Sequence, residues 1–177
     1  MVRFQRQPPG TALTRSLLLI GGAAAVVAGA AVIAGRGRAG GAAALASGAM
    51  LLLGTHRANH GAGGPVDRML GELLDRAWDA AVLGPIAWVT RSAAPSIAAA
   101  ALVALSGSFL SSYIRARGAA LQYSVEESHV TRGLRYGLVG AGLVADRPAA
   151  TVWATAILVV LAAVVRTAQV AREERAT

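Results

Sequence analysis

The chain has 177 residues, with 55% hydrophobic and 15% charged side chains and a formal net charge of +8. Its mean hydropathy is +0.53, more apolar than a soluble domain of this length usually is. There is no cysteine, which excludes disulfides, thiolate metal sites and thiol catalysis. All 17 basic residues are arginine, and they flank apolar runs instead of forming one stripe. That pattern favours anionic lipid headgroups over nucleic acid.

The sequence predicts an all-α integral membrane bundle of about six transmembrane helices, one domain over 1–177. Residues 1–15 form a short N-terminal segment and 166–177 a charged helical tail. Arg3, Arg6 and Arg15 precede an apolar run from Leu17 to Ala34. A cleaved leader would begin this way, but the run is as long as a span and more apolar segments follow, so retention is expected. Span 1 is placed at about Ser16 to Gly35. Span 2 is short, about Gly41 to Gly54, and a polar glycine-rich loop from Thr55 to Pro65 follows it. Span 3 runs from Val66 to Val89, span 4 from near Pro95 to Ile114, span 5 from Leu134 to Ala145 and span 6 from Thr151 to Val165. Spans 2 and 5 fall short of the roughly 20 residues needed to cross the hydrocarbon, so their helices are expected to extend into arginine-bearing ends. With the N-terminus inside, thirteen arginines fall on the cytoplasmic side. Only Arg36, Arg38, Arg91 and Arg147 lie opposite, a positive-inside bias that puts both termini in the cytoplasm of a bacterial inner membrane.

Asp75 and Asp79 are four apart on the helix of span 3, so their carboxylates share a face where the chain enters the membrane. Ionisable residues there are costly and are functional candidates. Such a pair suits Mg²⁺ or Mn²⁺ beside a pyrophosphate, and Gly71, one turn earlier, would admit a substrate to the backbone. In the simpler alternative, Arg76 or Arg68 merely neutralises two interfacial charges. At the end of span 4, Arg115 and Arg117 stand on the same side, and Arg132 and Arg135 open span 5. Singly, each reads as an arginine snorkelling at a helix end. Clustered opposite an acidic pair, they read as an anion site able to fork onto phosphate.

Gly71-x3-Asp75-x3-Asp79 and Ser112-Tyr113-Ile114-Arg115-Ala116-Arg117 resemble the CDP-alcohol phosphatidyltransferases, six-span enzymes of phospholipid head-group synthesis. The likeness is to the phosphatidylinositol-phosphate and phosphatidylglycerophosphate branches. Glu127 through Arg132 to Arg135 is similar to the charged entry to that family's fifth helix, and Val165 to Arg172 to the end of its sixth. The family signature is Asp-x2-Asp-Gly-x2-Ala-Arg-x8-Gly-x3-Asp-x3-Asp. Its first half is missing here: Gly54 and Arg57 stand where two aspartates belong, and Ala58, Gly61 and Ala62 replace the Gly, Ala and Arg.

The resemblance implies transfer of a phosphatidyl or phospho-alcohol group from a CDP-activated lipid or alcohol to an alcohol, with release of CMP. It implies Asp75 as a metal ligand, Asp79 as ligand and general base, and Gly71, Arg115, Arg117, Arg132 and Arg135 as the substrate-binding set. It further implies two Mg²⁺ or Mn²⁺ ions, membrane-lipid contacts and a homodimer. The absent aspartates leave too little negative charge for two ions, so catalysis is altered or lost unless His56, Asn59, His60, Asp67 or Glu72 substitutes. The alternative is a non-catalytic relative acting as a lipid-binding or scaffolding subunit. A proton or cation path is a third reading, disfavoured because the charges gather at one face and no inverted repeat is visible.

Overall fold

The computed structural model describes residues 10–123 and 129–174. Among these, six α-helices occur and no strand: α1 (Thr11–Ile33), α2 (Gly37–Arg57), α3 (Pro65–Thr90), α4 (Pro95–Ala120), α5 (His129–Val144) and α6 (Pro148–Glu174). The expectations for Arg3, Arg6, Glu127 and Arg175 fall outside the described residues.

The helix ends follow from local chemistry. Pro65, Pro95 and Pro148 open α3, α4 and α6, where a missing N–H costs nothing and the fixed φ is already helical. Three helices close through a residue in the left-handed region: Gly35 (φ 74), Gln122 (φ 64) and Asp146 (φ 58). In each case the next N–H returns to a carbonyl five residues back: Arg36 to Ala31 at 2.8 Å, Tyr123 to Gly118 at 3.0 Å and Arg147 to Gly142 at 2.8 Å.

One boundary departs from expectation. The stretch predicted as a loop after Gly54 is largely helical: α2 continues through Arg57 and then widens into a π-type turn over Ala58–Ala62. The turn breaks at His60 (φ −104, ψ 34) and Gly61 (φ 91, ψ −4). Thr55 and Ala58 stay buried along this extension, so packing carries the helix past the last apolar run.

The six helices form a closed ring. Going round it, α1 packs on α3, α3 on α4, α4 on α6, α6 on α5, α5 on α2 and α2 back on α1. Small residues set the spacing at the tightest crossings, as they do between membrane helices generally. Pro85 has no N–H, so the Ala81 carbonyl four residues earlier lacks its helical partner. Gly29 of α1 lies against that carbonyl so closely that a Cβ there would fall 2.0 Å from the oxygen. Gly41 of α2 likewise presses on α5, where a Cβ would be 2.7 Å from the Gly140 carbonyl.

Four helical stretches are long and apolar enough to cross a membrane: α1, α2 with its π-type turn, α4 and α6. The protein is therefore a multi-pass membrane protein. The other two helices differ for visible reasons. The first half of α3 carries Asp67, Arg68, Glu72, Asp75, Arg76 and Asp79. The 16 residues of α5 span only about 24 Å and include Arg132 and Arg135. Alternation of the helices gathers these polar stretches at one end of the ring, together with the start of α1 and the ends of α4 and α6.

Substituting Gly29 by Ala pushes a methyl into the Ala81 carbonyl and should cost about 1–3 kcal/mol of stability. Gly84→Ala, where a Cβ meets nothing within 4 Å, should be neutral or gain up to about 1 kcal/mol. Unfolding midpoints of the two variants in one detergent check the contrast.

Candidate functional site

The 3.6-residue period of α3 puts Gly71, Asp75, Trp78, Asp79, Val82 and Ile86 on its buried face. Both aspartates have no solvent exposure, and bare carboxylates at such positions would be prohibitive. Two other helices and α3 itself supply their partners. Arg132, Arg135 and Tyr136 come from α5, Ser108 from α4, and Arg76 from α3 itself.

Asp75 is surrounded on both oxygens. Its Oδ1 accepts from Arg135 Nη2 at 2.6 Å and from the Tyr136 hydroxyl. Its Oδ2 accepts from Arg76 Nη2 and lies 3.4 Å from Arg132 Nε. Asp79 Oδ2 accepts from the Ser108 hydroxyl and from Arg76 Nη1 at 3.2 Å. Asp79 Oδ1 differs. It accepts no hydrogen bond, yet Arg135 Nε stands 2.8 Å away, close enough for ion pairing but poorly directed. Tyr136 also packs on Trp78, with ring centroids 4.4 Å apart, and it fills the notch at Gly48 of α2, where a Cβ would meet its ring at 2.8 Å. The α5 side chains are thus wedged against the aspartates from behind.

A narrow cleft opens beside this cluster between α3, α4, α5 and α6. Asp75, Ser108, Ser111, Ser112 and Thr131 line it, with five arginines: Arg76, Arg115, Arg132, Arg135 and Arg166. Arg166 reaches it from α6 and donates to the Ser111 carbonyl at 3.2 Å and to the Ser111 hydroxyl. Arg115 at the rim pairs with Glu72 at 3.0 Å. Among the described residues guanidiniums outnumber carboxylates here, and an anionic group such as a phosphate matches this lining.

The structure thus brings together Asp75, Asp79, Arg115, Arg132 and Arg135. It does not bring Gly71 or Arg117 to them. Gly71 faces α2, where a Cβ would lie 2.6 Å from Thr55 Cγ2, and Arg117 points to the exterior. Arg76 does what the simpler sequence reading gave it, contacting both carboxylates, while Arg68 has no such contact. Sequence reasoning missed Ser108, Tyr136 and Arg166 as site residues. The signal for Tyr136 is its place next to Arg135 on an arginine-bearing helix. For Arg166 it is the lone charge that ends an apolar run, level with Ser111 on the neighbouring helix.

The two positions lacking aspartates serve other purposes. Gly54 admits α1, since a Cβ there would be 2.7 Å from the Leu18 side chain. Arg57 extends toward Gly10, where a Cβ would come within 3.2 Å of its Nη2. Among the described residues no substitute carboxylate or imidazole reaches the pair. His56 and His60 stack on each other at 4.1 Å, and both are exposed, as is Asn59. Asp67 is held by Arg15 Nε at 2.7 Å and by the Gly64 N–H at 2.8 Å, a latch between the starts of α1 and α3. Glu72 is taken by Arg115. Among the described residues no three His, Asp or Glu side chains converge. A pair of divalent ions does not fit this donor set, because two carboxylates already held by three guanidiniums lack the charge, and three of their four oxygens are already taken.

Asp75→Asn should lower stability by about 3–5 kcal/mol, since it leaves buried guanidiniums uncompensated. Glu72→Gln at the half-exposed rim should change it by about 1 kcal/mol or less. Denaturant unfolding of the two variants measures the difference.

Neither a protein-family model nor a curated protein sequence matches the chain. Solved structures do. The crystal structure of Mycobacterium tuberculosis phosphatidylinositol phosphate synthase with CDP-DAG bound superposes with a TM-score of 0.76 at 22% identity, covering 89% of this chain and 85% of that one. The same enzyme in complex with manganese and citrate gives 0.76 at 22% identity over 91% and 88%. Its apo form gives 0.72 at 23% identity over 90% and 95%. The family resemblance carried by Asp75, Asp79 and the arginine stretch is thus matched at the level of the fold, which this protein shares with a phosphatidylinositol phosphate synthase.

Proposed function

We propose that the protein is a CDP-alcohol phosphatidyltransferase-like protein of phospholipid synthesis, moving a phosphatidyl or phospho-alcohol group from a CDP-activated donor to an alcohol. The observation that carries this reading is the buried Asp75–Asp79 pair on the wall of an arginine-lined cleft. It occurs on a fold whose solved relative was crystallised with CDP-DAG.

In this reading Arg76, Arg115, Arg132, Arg135 and Arg166 neutralise and orient the phosphate oxygens of donor and acceptor. The acceptor hydroxyl attacks phosphorus, a new P–O bond forms, and the P–O bond to CMP breaks with its electron pair leaving on CMP. Asp79 takes the hydroxyl proton on Oδ1, the one oxygen of the pair that accepts no hydrogen bond. For that, the nearby Arg135 Nε has to turn toward a substrate phosphate. The resemblance implies Mg²⁺ or Mn²⁺ for charge neutralisation. The donor set present does not fit such a centre, so no step is assigned to it. The arginine distribution favours a bacterial inner membrane with both termini and the cleft on the cytoplasmic side. Soluble alcohols arrive there, and lipids can enter laterally between helices. The resemblance also favours a homodimer.

A second reading has its own observation. Three of the four carboxylate oxygens of the pair are already bonded within the protein, which suits a non-catalytic subunit that binds an anionic lipid or scaffolds a partner.

Incubating the purified chain with CDP-diacylglycerol and a set of phosphorylated alcohols separates the two. The transferase reading expects CMP release that falls by about 100-fold or more in Asp79→Asn. Turnover unchanged in that variant removes Asp79 from the chemistry. Saturable CDP-diacylglycerol binding without CMP release supports the second reading, and neither binding nor release contradicts both.

A further inference from the structure

The position of Arg135 goes beyond either reading. Its guanidinium contacts both carboxylates at once, Nη2 on Asp75 Oδ1 at 2.6 Å and Nε beside Asp79 Oδ1 at 2.8 Å. Its third nitrogen donates to Ser108 Oγ at 3.0 Å. Only 6% of the side chain is exposed. Tyr136, wedged between Trp78 and Gly48, holds the neighbouring oxygen contact and keeps α5 in register. A guanidinium does not lose its charge by deprotonation, so this cation is permanent.

A divalent ion would need the place Arg135 occupies. It sits about 2.0–2.1 Å from a carboxylate oxygen and demands a near-octahedral shell. The oxygen left for it, Asp79 Oδ1, has Arg135 Nε on its open side. Charge argues the same way. Asp75 and Asp79 are already matched by Arg76, Arg132 and Arg135 within 3.4 Å, so a further +2 meets net repulsion in a site shielded from water. The positions from which more carboxylates would come hold Gly54, packed on Leu18, and Arg57, which extends toward Gly10.

We propose that the Arg135 guanidinium is the resident cation of the Asp75–Asp79 pair, standing in place of a divalent metal, so that the pair binds neither Mg²⁺ nor Mn²⁺. The inference rests on the proposed site, but its test does not depend on turnover.

Mn²⁺ titration followed by electron paramagnetic resonance, on the full chain in phosphatidylcholine nanodiscs, reads it directly. Wild type is expected to show no saturable Mn²⁺ binding that Asp79→Asn removes, and a thermal midpoint unmoved by EDTA or Mn²⁺. Arg135→Gln is expected to gain about one bound Mn²⁺ per chain, lost again when Asp79→Asn is added. Saturable binding by wild type that Asp79→Asn abolishes overturns the proposal, as does a folded Arg135→Gln that binds none. If Arg135→Gln does not fold, the wild-type titration and midpoint decide alone. Wild-type binding that Asp79→Asn leaves intact belongs elsewhere and leaves the pair without metal, as expected. Failure of the functional reading looks different: CMP release and CDP-lipid binding would both be absent whatever the Mn²⁺ result.

Discussion

Two carboxylates without solvent exposure, four residues apart on one helix, are the constraint around which the polar end of this protein is arranged. Unpaired, each would cost several kcal/mol or would have to give up its charge. The chain answers with groups from three helices, and the geometry of those helices follows from that. Helix α5 has to lie close enough to α3 for Arg135 to reach both carboxylates, which requires the close α2–α5 crossing at Gly41 and Gly48. Helix α4 has to place Ser108 opposite Asp79. Helix α6 completes the wall through Arg166 and Ser111. The ring is held by small-residue packing in its apolar part and by charge pairing at its polar end.

That division of labour bears on function. A buried ion cluster contributes little net stability compared with an apolar core of the same shape. Keeping it fits a binding surface better than a structural brace. The cleft beside it carries more guanidinium than carboxylate among the described residues.

Much of this was legible in the sequence. Apolar runs and arginine flanks gave six helices, and Pro95 marked the start of one of them. The four-residue spacing of Asp75 and Asp79 put them on one face, and Arg132 and Arg135 stood together at the opening of the fifth helix. Other features were hidden because they are decided across helices. Nothing local distinguishes Gly71, which seats Thr55, from a glycine that admits a substrate. Thr55 to Ala62 reads as a polar loop, yet burial of Thr55 and Ala58 keeps it helical. Ser108 lies in a run of small residues typical of helix packing, and only the approach of α3 makes it a partner of Asp79. Whether an arginine snorkels outward or turns inward is likewise set by tertiary packing, which separates Arg117 from Arg135.

The central claim is that Asp75 and Arg135 are energetically one unit. A double-mutant cycle of Asp75→Asn and Arg135→Gln, read by reversible unfolding in detergent, tests it most directly. The account predicts strong coupling, about 2–3 kcal/mol, with Asp75→Asn far less damaging once Arg135 is gone. Additive effects of the two substitutions would contradict it.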